Sequence, residues 1–385
     1  MTIKNGREAL TQLQAEVDVV IIGGGLAGLT AAIHLRKLGI PVMLIEKNTF
    51  PKHKVCGEYL SNEVLPYWQW LNISIEDFKP THINQLQFST VSGKTINTSL
   101  PLGGFGVSRY ALDDYLYQKV IAEGCEMIHE SVENIQFTDD VFTITTATET
   151  IIKSQIVLGA FGKRSNIDIQ LNRNFIQKKS PWLAVKAHYS GNFPNDLVAL
   201  HNFEGGYCGV SKVENDRINI CYLVQYEVFK KYKNIDEFQS IVLHQNPNLK
   251  RILEQSKMVF DKPLTISQIS FEKKAQVENH LLMLGDTAGL IHPLCGNGMA
   301  MAIHSAKIAA ECVVSFLEGK QTREEMEGNY IFQWKFHFQK RLQTGKQLSK
   351  LLLNQFLSRI LMKLLLTFPK LLPLIIRRTH GKPIS

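Results

Sequence analysis

Apolar positions along the chain change period several times, and each change marks an element. Residues 17–47 read VDVVIIGGGLAGLTAAIHLRKLGIPVMLIEK. Val17 to Ile22 is a short, largely β-branched run, the pattern of a strand buried on both faces. A glycine turn follows, then apolar residues at helical spacing from Leu29 to Leu38, a stop at Gly39, and a second apolar run from Val42 to Ile45. This is one βαβ unit. INQLQFST and KTINTSL then flank Ser92-Gly93, predicting a hairpin over 83–100. A helix is expected from about Leu112 to Glu123, short strands over 131–158, and further strands at 182–190, 197–203, 206–213 and 217–225. Helical spacing returns near 234–257, a strand lies at 281–284, and a long helix starts near Gly298.

The β blocks interrupt pieces that read as one nucleotide-binding region, so a discontinuous domain with an inserted sheet is the economical organisation. The nucleotide-binding domain is expected in three parts, 1–82, 101–180 and 276–320. The hairpin 83–100 and the block 181–275 form the inserted sheet, and 321–385 a basic helical region.

With 44% apolar and 20% charged side chains in 385 residues, the chain can bury sizeable cores and is neither disordered nor fibrous. Net charge is +8, yet eleven Lys and Arg and no Asp or Glu follow Glu327, so the body is slightly acidic. The basic character belongs to the tail, whose few base-reading groups make nucleic acid a poor partner. Six scattered cysteines without a CxxC pair predict neither a disulfide framework nor a zinc site, and no metal is expected. The polar opening MTIKNGREALTQLQ lacks a secretory core, so a reducing, cytoplasmic setting is expected.

Gly23-Gly24-Gly25-Leu26-Ala27-Gly28 satisfies G-x-G-x-x-G between strand and helix. Gly23 permits the tight turn, Gly25 lets backbone approach a pyrophosphate, and Gly28 lets helix and strand pack closely. The helix N-terminus then meets the diphosphate, and Glu46, followed by Lys47, ends the second strand where a carboxylate can bind ribose hydroxyls. The C-terminal half points to FAD in particular. Gly285-Asp286 ends a strand, where an acid can bind the ribityl hydroxyls, and Pro293-x-x-Gly296-x-Gly298-Met299 opens a helix whose free N–H groups would face the flavin N1–C2=O edge.

These two signatures, with Arg109 in VSRYALDDYL between them, resemble the FAD-dependent monooxygenases of the para-hydroxybenzoate hydroxylase fold; KVCGEYLS at 54–61 resembles the corresponding loop of the geranylgeranyl reductase branch. The resemblance covers roughly residues 15–320. It implies an α/β fold with a Rossmann-like FAD-binding domain, an inserted antiparallel substrate sheet and C-terminal helices. It also implies that Arg109, Cys56 and Gly57 contact the cofactor, and that Cys56 takes part in the reaction; its alternative is a small packed residue in a tight loop. Glu58 is either a helix-capping carboxylate or a catalytic one.

Three departures limit the resemblance. Phe161 stands where the family has the acid of an Ala-Asp-Gly motif, which puts direct use of NAD(P)H in question. Tyr207 is kept from the reductases' Y-x-W-x-F-P signature, but Gly209, Ser211 and Lys212 replace the rest. Trp68-Gln69-Trp70 is not the W-x-W-x-I-P signature of the halogenases. His292, beside the expected flavin edge, is a second catalytic candidate whose alternative is a satisfied structural histidine. Tyr207 and Trp182 are candidate substrate-pocket residues.

The tail from Leu351 is apolar but interrupted by Asn354, Gln355, Arg359, Lys363 and Lys370, and broken by Pro369 and Pro373. It is too short in any unbroken stretch to span a bilayer. Packing on the body, roofing a substrate cavity, is the favoured expectation; peripheral contact with anionic lipid at the inner face of a membrane is the other. The leading functional expectation is an FAD-dependent monooxygenase that uses reduced flavin and O2 to hydroxylate or epoxidise an apolar aromatic, polyketide-like or lipid-like substrate. Flavin-dependent C=C reduction is the alternative, and a flavin- or lipid-binding module without turnover is a third.

Overall fold

The computed structural model describes residues 14–385, so the polar opening segment lies almost wholly outside the described residues. Two sheets divide the architecture. The first has five parallel strands in the order Leu281–Met283, Ile151–Gly159, Gln14–Ile22, Val42–Ile45 and Glu126–Ile128. A β-ribbon of Val132–Thr138 and Val141–Thr146 joins its Ile151 strand antiparallel. Val19, Val20 and Ile21 have no exposed surface, as the double-sided burial of a parallel strand requires. Helices Leu26–Lys37 and Gly298–Leu317 pack against each other on this unit. The second of these is long and apolar enough to cross a membrane by length and composition, but most of its residues are buried in the core.

The second sheet has nine strands, centred on Trp182–Gly191, Arg217–Gln225, Gly206–Val213 and Leu197–Phe203. It is not antiparallel throughout: Leu197–Phe203 runs parallel to Thr81–Ser89. The hairpin also outruns its expected limits, pairing Thr81–Ser89 with Thr95–Gly106 and adding a short strand, Tyr59–Ser61. The extra length is hidden in PLGGFG, a poor strand sequence by propensity. Close backbone approach selects its glycines: a Cβ on Gly106 would stand 1.8 Å from the Lys212 carbonyl oxygen.

The tail packs on the body. Met362, Leu365, Leu372 and Ile376 form one cluster with Leu86, Phe88, Ile96 and Leu100 of the hairpin. Pro369 separates helices Gln355–Thr367 and Leu371–Thr379. Pro373 does not break the second of them, because it sits in the first turn, where no intrahelical N–H bond is lost.

Candidate flavin site and chamber

One cavity of about 840 Å³ runs from the glycine turn at the end of Gln14–Ile22 to the face of the second sheet. Gly23, Gly25, Leu26, Ala27, Glu46 and Lys47 line one end; Cys56, Gly57 and Arg109 lie between; Gly285, Asp286, Pro293, Gly296, Gly298 and Met299 line the other side. Gly28 is off the wall. A Cβ there would meet the Gly23 carbonyl oxygen at 2.0 Å, so its part is the close packing of helix on strand.

The cavity fits FAD on several independent observations. Gly25 opens onto empty space: a Cβ there would find only the Arg109 guanidinium, 3.9 Å away. The helix beginning at Leu26 has no side-chain cap and no acid in its first turn, leaving its N–H groups free for a diphosphate. Glu46 accepts from Gly24 N through Oε2 at 2.7 Å and from Asn48 N through Oε1 at 2.9 Å, which holds its carboxylate at the strand end. Lys54, Lys163 and Arg164 line the same cavity and complement an anionic cofactor. At the far end, helix Gly298–Leu317 also starts uncapped, with no acid in its first turn.

Arg109 is held rather than free. Its Nε and Nη2 donate to the two oxygens of Asp113, both at 2.7 Å, and Lys54 Nζ donates to the same carboxylate at 2.7 Å. Burial opposes the Asp113 charge, but these two cations outweigh it and hold the acid below its usual range. The Gly285–Thr287 turn is fixed by Ser305 Oγ, which accepts from Gly285 N at 2.8 Å, and by Lys274 Nζ, which donates to the Asp286 carbonyl at 2.7 Å.

A buried charge cluster anchors the Cys56 loop. Glu58, fully buried at φ 54°, accepts from Lys186 Nζ at 2.5 Å, His188 Nε2 at 2.6 Å and Arg109 N at 2.8 Å. Burial pushes its carboxyl up, but the Lys186 ammonium and His188 more than offset that and keep it ionised. Since Arg109 N opens helix Arg109–Ala122, Glu58 is also a helix-terminal carboxylate. Asn219 Nδ2 donates to the carbonyls of Cys56 and Gly57 at 3.2 and 2.9 Å. Cys56 itself is partly exposed on the cavity wall.

The structure separates the other candidates. Tyr207 lines the cavity, and its buried hydroxyl has no hydrogen-bond partner among the described residues. Trp182 does not line it: the indole packs behind, against Phe271 and His292. His292 is likewise off the wall, with Nδ1 accepting from Leu294 N at 3.4 Å and Nε2 bonded to Ser349 Oγ at 2.9 Å. Burial holds it down at about 4, so it is a neutral tie between the 293–298 loop and the helix Arg323–Leu353. Sequence reading missed Lys186 and His188, although a lysine and a histidine two apart within the apolar strand WLAVKAHY were the available signal.

Fold and site together define a flavoprotein of the FAD-dependent oxidoreductase class. The family model described as FAD dependent oxidoreductase matches residues 18–55. Digeranylgeranylglycerophospholipid reductase of Methanococcus vannielii is 23% identical over 84% of this chain and 83% of its own. Among solved structures, the flavin-dependent brominase Bmp2 superposes with a TM-score of 0.76 at 20% identity, covering 95% of this chain and 93% of that one. PqsL of Pseudomonas aeruginosa, described as a probable FAD-dependent monooxygenase, gives 0.72 at 16% identity, covering 90% of this chain and all of its own (100%).

Proposed function

We propose that this flavoprotein is a monooxygenase acting on a long, largely apolar small molecule that carries one polar ring or head group. The observation that carries the reading is the chamber wall: aliphatic side chains such as Leu86, Val198, Leu200, Val210 and Leu365 share it with Tyr207, whose buried hydroxyl, like that of Tyr222 on the same wall, has no partner among the described residues. Burial pushes the Tyr207 phenol well up, so it stays a neutral O–H donor for one substrate oxygen. Cys221 and Cys295 on the same wall are pushed up to about 12 by burial and are also neutral. Such a lining excludes water and offers the substrate position rather than strong acid, which suits oxygen transfer more than protonation of a carbon centre.

Bound FAD supplies the electron-transfer chemistry; the chain supplies position, dryness and charge. Lys54, Lys163 and Arg164 would hold the diphosphate half, and the uncapped helix at Gly298 would stabilise negative charge at the flavin edge. In the net reaction one oxygen atom enters the substrate and the other leaves as water.

A second reading, C=C reduction of a lipid-like molecule, is favoured by Cys56 on the wall and by the reductase relative. The two readings part on product mass. Chemically reduced holoenzyme is mixed with 4-dodecylphenol or geranylgeraniol under ¹⁸O₂. Gain of one ¹⁸O atom supports the monooxygenase, and gain of two hydrogens without oxygen supports the reductase. Neither product from either probe, with flavin bound but inert to reductants, supports a module without turnover.

A further inference from the structure

We infer that the helices Gln355–Thr367 and Leu371–Thr379 form a docking face for an anionic lipid bilayer. Both helices have two apolar sides. Their inner side is accounted for: Met362, Leu365, Leu372 and Ile376 pack on the hairpin of the second sheet, and Leu361, Leu365 and Ile375 line the chamber. Their outer side is not. Phe356, Ile360 and Leu364, spaced i, i+4, i+8 along one outer stripe, are 70%, 51% and 44% exposed, and Phe368 and Leu374 are 55% and 54% exposed. A stripe of this kind on a water-facing helix has no folding reason.

Charge selects the occupant. Arg359, Lys363, Arg377 and Arg378 on the same two helices, and Lys370 between them, are all exposed, and no acidic residue occurs anywhere after Glu327. Arg359 and Lys363 lie one position before Ile360 and Leu364, at the edge of the apolar stripe. Apolar side chains flanked by long cationic ones match the boundary between acyl chains and anionic headgroups, where the cations reach the phosphates and the rings and branched chains enter the hydrocarbon. A second copy of this chain would bring the same positive face against itself, which repels. The body beneath is slightly acidic, so the basic face concentrates the attraction on this one side.

The geometry gives docking a consequence. The helices that would rest on the bilayer are the ones that close the chamber, so a membrane-dissolved substrate would reach it across a single helical layer. This last step rests on the function proposed above; the docking itself does not.

The test uses the full-length FAD-loaded protein in flotation assays. Vesicles are phosphatidylcholine alone or phosphatidylcholine with phosphatidylglycerol, at low and high salt. The expected result is binding to the anionic vesicles only, weakened several-fold by salt. Phe356→Ser/Ile360→Ser/Leu364→Ser and Arg359→Gln/Lys363→Gln/Lys370→Gln should each reduce the bound fraction at least tenfold. Their flavin spectra should be unchanged, since the altered side chains are exposed. Equal binding to neutral vesicles, no binding to either, or unchanged binding of both variants overturns the inference. So does a wild-type dimer in light scattering that the serine variant dissolves, because the stripe would then be a contact between copies. Because flotation needs no turnover, a chain that docks but yields no product overturns only the functional reading.

Discussion

Glu58→Gln tests whether the buried charge cluster holds the Cys56 loop. The substitution keeps size and shape but removes the charge opposite Lys186, which has no exposed surface and whose other hydrogen bond is to the Lys54 carbonyl at 3.2 Å. Lys186 then has two costly options. It can lose its proton at pH 7, far below the ordinary lysine range, which disfavours the folded state relative to an unfolded chain whose lysine stays charged in water. Or it can stay charged without a counter-ion, which is worse. The charge-assisted bond from His188 weakens as well, at about 1.5 kcal/mol or more. The expected loss is about 3–5 kcal/mol, the range for breaking one side of a buried pair. Urea unfolding followed by tryptophan fluorescence would be run on Glu58→Gln, Lys186→Met and the double variant. The double variant should recover most of the loss, because it leaves no orphaned charge. A single-variant loss below about 1 kcal/mol, or a double variant less stable than Glu58→Gln, would refute the pairing argument.

Gly25→Val should fold and yet bind no FAD, since its side chain enters the space kept open beside Arg109; circular dichroism and flavin absorbance check the two halves separately. Gly28→Ala should instead lose about 1–3 kcal/mol or fail to fold, because its Cβ collides with the Gly23 carbonyl, and a soluble, flavin-loaded variant of wild-type stability would contradict this. Cys56→Ser should leave flavin binding intact; if the product of turnover is oxygenated, the rate should change less than tenfold, whereas loss of all turnover would move the assignment to the reductase. Acid should destabilise the fold through its buried histidines. Burial lowers His34, His201 and His292 from 6.5 to about 4, so between those two values the unfolded chain binds more protons than the folded one. Their contribution is complete above about 6.5 and is lost as pH falls toward 4, up to about 3 kcal/mol for each histidine. Melting temperature should therefore drop steadily across that window, and His292→Gln should flatten the slope; a flat profile would show that the histidines are not held neutral.

The parts of the site that were legible in the sequence are those in which backbone is the functional group. Gly23, Gly25 and Gly28 each have a stereochemical reason to lack a side chain, and such reasons repeat at fixed spacing wherever a strand must turn into a helix beneath a diphosphate. The strands of 182–225 were legible because apolar, β-branched runs that are buried almost continuously are a local property. What escaped was non-local. The pairing of Glu58 with Lys186 joins residues 128 positions apart, and no spacing rule connects a loop carboxylate to a strand lysine. His292 shows the opposite error. Its position in the sequence, next to a flavin-edge motif, suggested chemistry, but Ser349, 57 positions away, takes the nitrogen that a proton relay would need. The tail shows why packing and docking were not true alternatives. A helix with apolar residues on two sides can satisfy the core with Met362 and Leu365 and still present Phe356 and Ile360 to something else. Composition counts both sides together, and only the fold decides which apolar residues are already used.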